Sequence, residues 1–215
     1  MRKAYDKIKN EFIAVKEFKK VLGEDNIESR KCLEGIVLED ALLQTVEKIR
    51  MTHSENNQHF LKYDGVFRDG DDQSALILKM ESGCATLDNI LEAGKKFSCD
   101  ELFHAHRKMV EGFAVLQENG IANRDVKAQN IILVEDPSSE GRFFYKISDF
   151  GIGCQLPKNK VLIPADSITG ISQPYAAPEV VRLIQQGSLQ NEEYNPFLAD
   201  SYSLGLVALK MINRS

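Results

Sequence analysis

Residues 119–133 read "NGIANRDVKAQNIIL" and set an aspartate, a lysine and an asparagine (Asp125, Lys127, Asn130) just ahead of an apolar run. The three side chains carry complementary chemistry. A carboxylate in a loop can take a proton from a hydroxyl. An ammonium two residues on can screen phosphate charge, and an amide oxygen three further on can ligate a hard cation such as Mg²⁺. Such groups suit phosphoryl transfer, where positioning and charge neutralisation supply most of the catalysis. A DxKxxN match alone is a weak signal, because a solvated polar loop can carry it. The surrounding chain decides its meaning.

The 215 residues suit one domain of two lobes or two small domains, and 43% hydrophobic residues allow a real core. A net charge of −5 with no long basic run argues against nucleic-acid or polybasic membrane binding. Cys32, Cys84, Cys99 and Cys154 form no CxxC pair and read as reduced thiols of a cytosolic protein. "MRKAYDKIKN" has no apolar signal-peptide region, and no run approaches the ~18 apolar residues of a membrane span. A cytoplasmic location is expected.

Upstream of the opening stretch, "EFIAVKEF" (11–18) is β-branched and aromatic and predicts a strand. Residues 37–52 predict an amphipathic helix on Leu42, Leu43, Val46, Ile49 and Met51. "HFLKYDGVF" (59–67) and "SALILKME" (74–81) predict two further strands around the turn "RDGDDQ" (68–73). From Ser98 the character changes. Ser98 and Glu101 form a capping-box signature, Leu102, Ala105, Met109, Phe113 and Leu116 recur at helical spacing, and Gly120 stops the run. Residues 135–142 read as a loop between two short strands. A β-rich part followed by a mainly helical part predicts two lobes with a seam near residues 81–86.

Three further motifs fall in a fixed order around the opening stretch. "IAVK" ends in Lys16 on a predicted strand, "SDFG" supplies Asp149, and "AAPE" spans residues 176–179. Together with "RDVKAQN" they resemble the signature set of the eukaryotic protein-kinase family, serine/threonine type, through nearly the whole chain. The resemblance implies an α+β, two-lobed protein-kinase-like fold, incomplete at both ends. The small lobe and hinge would be residues 1–83 and the large lobe residues 84–215. It implies transfer of the ATP γ-phosphate to Ser/Thr hydroxyls of protein substrates, with Mg²⁺. Asp125 would be the catalytic base and Lys127 the phosphate-screening lysine. Asn130 and Asp149 would bind Mg²⁺, and Lys16 the α- and β-phosphates. Glu47 would pair with Lys16, with Glu39 the second choice. Met80 would be the gatekeeper, Glu81 to Gly83 the hinge, and Ile132 would lie under the adenine. Asp200, in "DSYSLG", would brace the catalytic loop. Ser172 matches the serine/threonine class, and Arg124 would pair a phosphate on Ser167 or Thr169.

The departures from the pattern carry their own expectations. No GxGxxG occurs, and Met1 falls just after the place where that loop and the first strand would lie. The chain stops at "LVALKMINRS", which would leave Leu204, Val207, Ala208 and Met211 uncovered and Glu179 without its arginine. Self-association through this helix is then expected. Asn123 replaces the usual histidine beside Arg124. The alternative reading is a kinase-like binding module or gene fragment that keeps the motifs without the catalysis. "HAH" (104–106) is a surface or packing pair, because side chains two apart on a helix diverge.

Overall fold

In β2 (Glu11–Phe18), Ile13 and Val15 turn into the core while Lys16, on the opposite face of the strand, is half-buried. The computed structural model describes residues 2–213 except 7–8, 20, 23–25, 71, 73, 140, 171 and 188. Of the stretches read above, Met1, Lys7, Ile8, Asp71, Gln73, Glu140, Ile171, Arg214 and Ser215 therefore lie outside the described residues.

The first half of the chain builds one antiparallel sheet of β1 (Arg2–Asp6), β2, β3 (Tyr63–Arg68) and β4 (Leu76–Glu81), in the order β1-β2-β4-β3. β1 is a strand the sequence patterns did not single out, paired Arg2 to Val15 through Asp6 to Glu11. The expected strand over 59–67 begins only at Tyr63, because 54–58 form a 3₁₀ turn after the helix.

Across this sheet lies α1 (Ile27–Thr52), longer at its start than the expected 37–52. Asn26 caps it by accepting a hydrogen bond from Ser29 N–H at 2.7 Å. Ile36, Leu42, Leu43 and Val46 are buried on its sheet-facing side.

Beyond Glu81 the chain turns mainly helical. β5 (Ala85–Thr86) leads into α2 (Leu87–Glu92), and α3 (Cys99–Glu118) starts with the expected capping box, Ser98 N–H donating to Glu101 at 2.7 Å. After β6 (Ile121–Ala122) come β7 (Ile131–Glu135) and β8 (Phe143–Ile147), paired antiparallel around the expected 135–142 loop. β9 (Cys154–Gln155), β10 (Ile163–Pro164), α4 (Pro178–Gln186), β11 (Glu193–Tyr194) and α5 (Pro196–Asn213) follow. The architecture is α+β, a small sheet lobe with one long helix and a larger, mainly helical lobe. One continuous core links them, running from Leu43 and Met80 through Phe150 to Met109, Val207 and Met211.

The end of α5 departs from expectation. Leu204, Val207 and Met211, expected to be uncovered, are buried against α3, and Ala208 is half-buried. The apolar residues α5 exposes are Leu198, Tyr202, Leu209 and Ile212, on its opposite side. Glu179 is likewise half-buried rather than buried, in the first turn of α4 where the helix dipole favours a carboxylate. Among the described residues no helix is long and apolar enough to cross a membrane.

Candidate active site

Asp125, Lys127 and Asn130 converge because the loop joining β6 to β7 folds back on itself. Asn130 Nδ2 donates to the Asp125 backbone carbonyl and to Asp125 Oδ2, both at 2.9 Å. Lys127 Nζ lies 2.7 Å from the same Oδ2, and Ser172 Oγ donates to Oδ1 at 2.9 Å. Three donors thus fix the orientation of the Asp125 carboxylate.

The loop is held from beneath. Asp200, buried in the first turns of α5, accepts from Asn123 N–H at 2.7 Å and from Arg124 N–H at 2.8 Å. Those bonds keep Arg124 at φ +67°, which a non-glycine residue rarely adopts. Burial pushes the Asp200 carboxyl up to about 7, and the two backbone donors pull against it. Asn123 does more than fill the usual histidine's place. Its amide donates to the Asp149 carbonyl at 3.0 Å and its oxygen accepts from Asp125 N–H at 3.1 Å. One buried amide therefore ties Asp125 to the aspartate of "SDFG". Arg124 donates to the Tyr194 hydroxyl at 3.1 Å and to the Ser167 carbonyl, which places it beside the segment expected to carry a phosphate.

On the sheet side, the partner of Lys16 is Glu39 and not Glu47. Lys16 Nζ donates to Glu39 Oε1 at 2.8 Å and Oε2 at 3.0 Å, and reaches Asp149 Oδ1 at 3.3 Å. Glu47 lies eight residues on, ~12 Å further along the helix axis. There it pairs with Arg50 at 2.6 Å and accepts from Tyr63 N–H at 3.0 Å. A sequence signal for Glu39 existed. It interrupts the apolar stripe Ile36, Leu43, Val46 at helical spacing, and a carboxylate carried into the core by such a stripe needs a partner; in the structure it is buried. Predicting the helix only from 37 left Ile36 out of that stripe. Burial opposes the Lys16 charge, but Asp149 and Glu39 together hold its pKa above the usual lysine range. The same burial pushes the Glu39 carboxyl up against the pull of Lys16.

Lys16, Glu39, Asp125, Asp149 and Gly151 line one cavity of about 330 Å³. Residues 81–84, the expected hinge, lie beside the β7–β8 pair. Met80 is buried at the end of β4, and Gly83 packs so tightly that a Cβ there would sit 2.2 Å from Ile132 Cγ2 and 2.7 Å from the Leu133 carbonyl. That contact brings Gly83 and Ile132 together. Of the predicted site residues, Lys16, Asp125, Lys127, Asn130 and Asp149 are thus joined by hydrogen bonds among themselves and through Glu39, Asn123 and Ser172, while Gly83 and Ile132 form a separate contact. The histidines of "HAH" form no metal cluster with His, Cys, Asp or Glu among the described residues. Burial pushes the Cys154 thiol above its usual range.

The oxygen donors of Asn130 and Asp149 suit Mg²⁺, a hard cation that keeps several waters and takes only one or two protein ligands beside phosphates.

The family described as Protein kinase domain matches residues 1–215. Among curated proteins, the chain is 28% identical over 174 residues to the MAP kinase kinase MKK1/SSP32 of Saccharomyces cerevisiae, covering 79% of this chain and 30% of that protein. It is 30% identical over 143 residues to the serine/threonine-protein kinase PTK2/STK2 of the same yeast, covering 62% of this chain and 17% of that protein. It is also 30% identical over 138 residues to the serine/threonine-protein kinase SRK2F of Arabidopsis thaliana, covering 64% of this chain and 35% of that protein. The chain thus spans about a third or less of these relatives. Among solved structures, the yeast RNA Pol II CTD kinase CTDK-1 complex contains a chain that superposes with a TM-score of 0.71 at 19% identity, covering 99% of this chain and 58% of that one. At that identity the likeness shows the fold.

Proposed function

The chain belongs to the protein kinase family, and on that premise we propose that it transfers the ATP γ-phosphoryl group to serine or threonine hydroxyls of protein substrates. The observation that carries the proposal is the shared cavity, in which Lys16, Asp125 and Asp149 face one space. In this reading the small lobe, residues 1–83, presents Lys16 and the hinge Glu81 to Gly83, and the large lobe, residues 84–215, presents the catalytic loop.

Asp125 accepts the proton of the attacking hydroxyl, and its carboxylate is already oriented by Asn130, Lys127 and Ser172. Lys127, now on Asp125 Oδ2, turns to the transferring phosphoryl group and offsets its charge. Lys16, steadied by Glu39, holds the α- and β-phosphates. Met80, Gly83 and Ile132 bound the adenine side. Asn130 and Asp149 would hold Mg²⁺, which when bound would neutralise charge on the phosphates. Ser172, beside both Asp125 and Lys127, places the acceptor segment next to the base. Self-association through α5 belongs to the same proposal, on the exposed side formed by Leu198, Tyr202, Leu209 and Ile212. Sedimentation over a dilution series tests it.

Transfer of labelled phosphate from Mg·ATP to a generic protein substrate tests the main proposal. Asp125→Asn should abolish transfer and leave ATP affinity within about threefold. Transfer that survives Asp125→Asn would sink it.

A further inference from the structure

The strand that leads to Asp149 carries a buried lysine that the transfer chemistry does not use. Lys146 on β8 is 5% exposed and donates to both carboxylate oxygens of Glu81, at 2.9 and 2.8 Å. Glu81 Oε2 also accepts from the Lys62 backbone N–H at 3.0 Å, and Glu81 N–H donates to the Lys62 carbonyl at 2.9 Å. One side chain therefore joins the end of β4, the approach to β3, and β8. The first two belong to the sheet lobe and the third to the other lobe.

Stability is a poor reason for such a pair. Two charges lose their hydration on burial, and apolar residues of similar volume often do as well or better. Orientation is a better one. Two bonds to two oxygens fix the direction of the carboxylate as well as its distance. The other end of the hinge is fixed too. Cys84 N–H donates to the Leu133 carbonyl at 2.8 Å, and Gly83 packs on Ile132. Ile132 is the register partner of Lys146 across the β7–β8 pair. Residues 81–84 are thus held at both ends to that pair, and Asp149 lies three residues beyond Lys146 on the same strand's exit.

We infer that Lys146 is a positioning residue for the nucleotide. Through Glu81 it sets the hinge against the β7–β8 pair, so that the adenine edge and the phosphate end at Asp149 share one rigid reference. The inference rests on the ATP reading above, and it separates base recognition from phosphate recognition. Loss of the Lys146 charge should loosen the adenine side and leave the phosphate side as it was.

Calorimetric titration of the full chain with ATP and with inorganic tripolyphosphate, both in Mg²⁺, tests this. Lys146→Met should lose about tenfold or more in ATP affinity and less than about threefold in tripolyphosphate affinity. Lys146→Arg should recover ATP binding to within about threefold, because the guanidinium can bond both oxygens again. Glu81→Gln, which keeps one acceptor, should show the same selective loss and serves if Lys146→Met does not fold. An ATP affinity within about twofold of wild type in Lys146→Met would overturn the inference. So would equal loss of both ligands, as general damage to the fold would give, or no recovery in Lys146→Arg. Lys16→Met is the control for the underlying reading and should weaken both ligands. If it leaves ATP binding unchanged, the ATP reading fails and the Lys146 inference fails with it. If it weakens ATP while Lys146→Met does not, the inference alone fails.

Discussion

Replacing Glu39 by glutamine separates the two candidate partners of Lys16. The ammonium donates to both Glu39 oxygens, at 2.8 and 3.0 Å, and to Asp149 at 3.3 Å. A hydrogen bond to a charged group is worth about 1.5–3 kcal/mol net, or roughly 10- to 150-fold in an equilibrium constant. Glutamine keeps the shape and one acceptor, so the lower end applies. Glu39→Gln should lose about tenfold in ATP affinity, with a similar loss in kcat/KM for ATP, as Lys16 swings toward Asp149. Glu47→Gln is the comparison. Its ion pair with Arg50 is an i,i+3 pair on a partly exposed helix face, worth about 0.3–0.5 kcal/mol, and its bond to Tyr63 N–H is structural. It should change ATP affinity by less than about twofold while lowering the urea midpoint slightly. The cycle of Lys16→Met with Glu39→Gln should be non-additive, because the two groups touch, and that of Lys16→Met with Glu47→Gln additive. ATP affinity lost equally in Glu47→Gln and Glu39→Gln, or unchanged in Glu39→Gln, would refute the assignment.

Three further outcomes follow from the geometry. His59 is buried with its Nδ1 unpartnered, and burial, aided by Lys108, lowers its pKa below 6.5. The unfolded chain then binds the proton first, so His59 contributes stability above that value and loses it as pH falls through 6.5 and toward its folded pKa. The gap between wild type and His59→Gln in urea midpoint should therefore shift against wild type from pH 7.5 to ~5.5, and a constant gap would refute it. Asp200→Asn leaves one of two buried N–H groups without its acceptor and should cost about 1–3 kcal/mol by urea titration, together with loss of transfer. Gly83→Ala drives a Cβ into Ile132 and the Leu133 carbonyl, and calorimetry should find ATP affinity down by about tenfold or more.

The proximity of Asp125, Lys127 and Asn130 was legible in the chain alone. They lie within six positions, so one short loop carries all three, although Asp200 and Ser172 from distant segments fix its shape. The same locality made β2, the α3 capping box and the β7–β8 hairpin legible, because alternation, caps and turns act over a few residues. β1 was missed because five residues with charges at both ends show no strand pattern until β2 pairs with them. Pairings across long separations could be read only from the folded chain. Lys16 to Glu39 depends on where α1 starts and how it lies on the sheet, and periodicity fixes neither to within a turn. Which side of α5 is buried depends on where α3 packs. Asn123 joining Asp125 to Asp149, and Lys146 reaching Glu81 across the lobes, exist because separate strands end at one place. A lysine in an apolar strand or a glutamate in an apolar helix stripe shows that a buried charge needs a partner. The three-dimensional path of the chain determines which partner it meets.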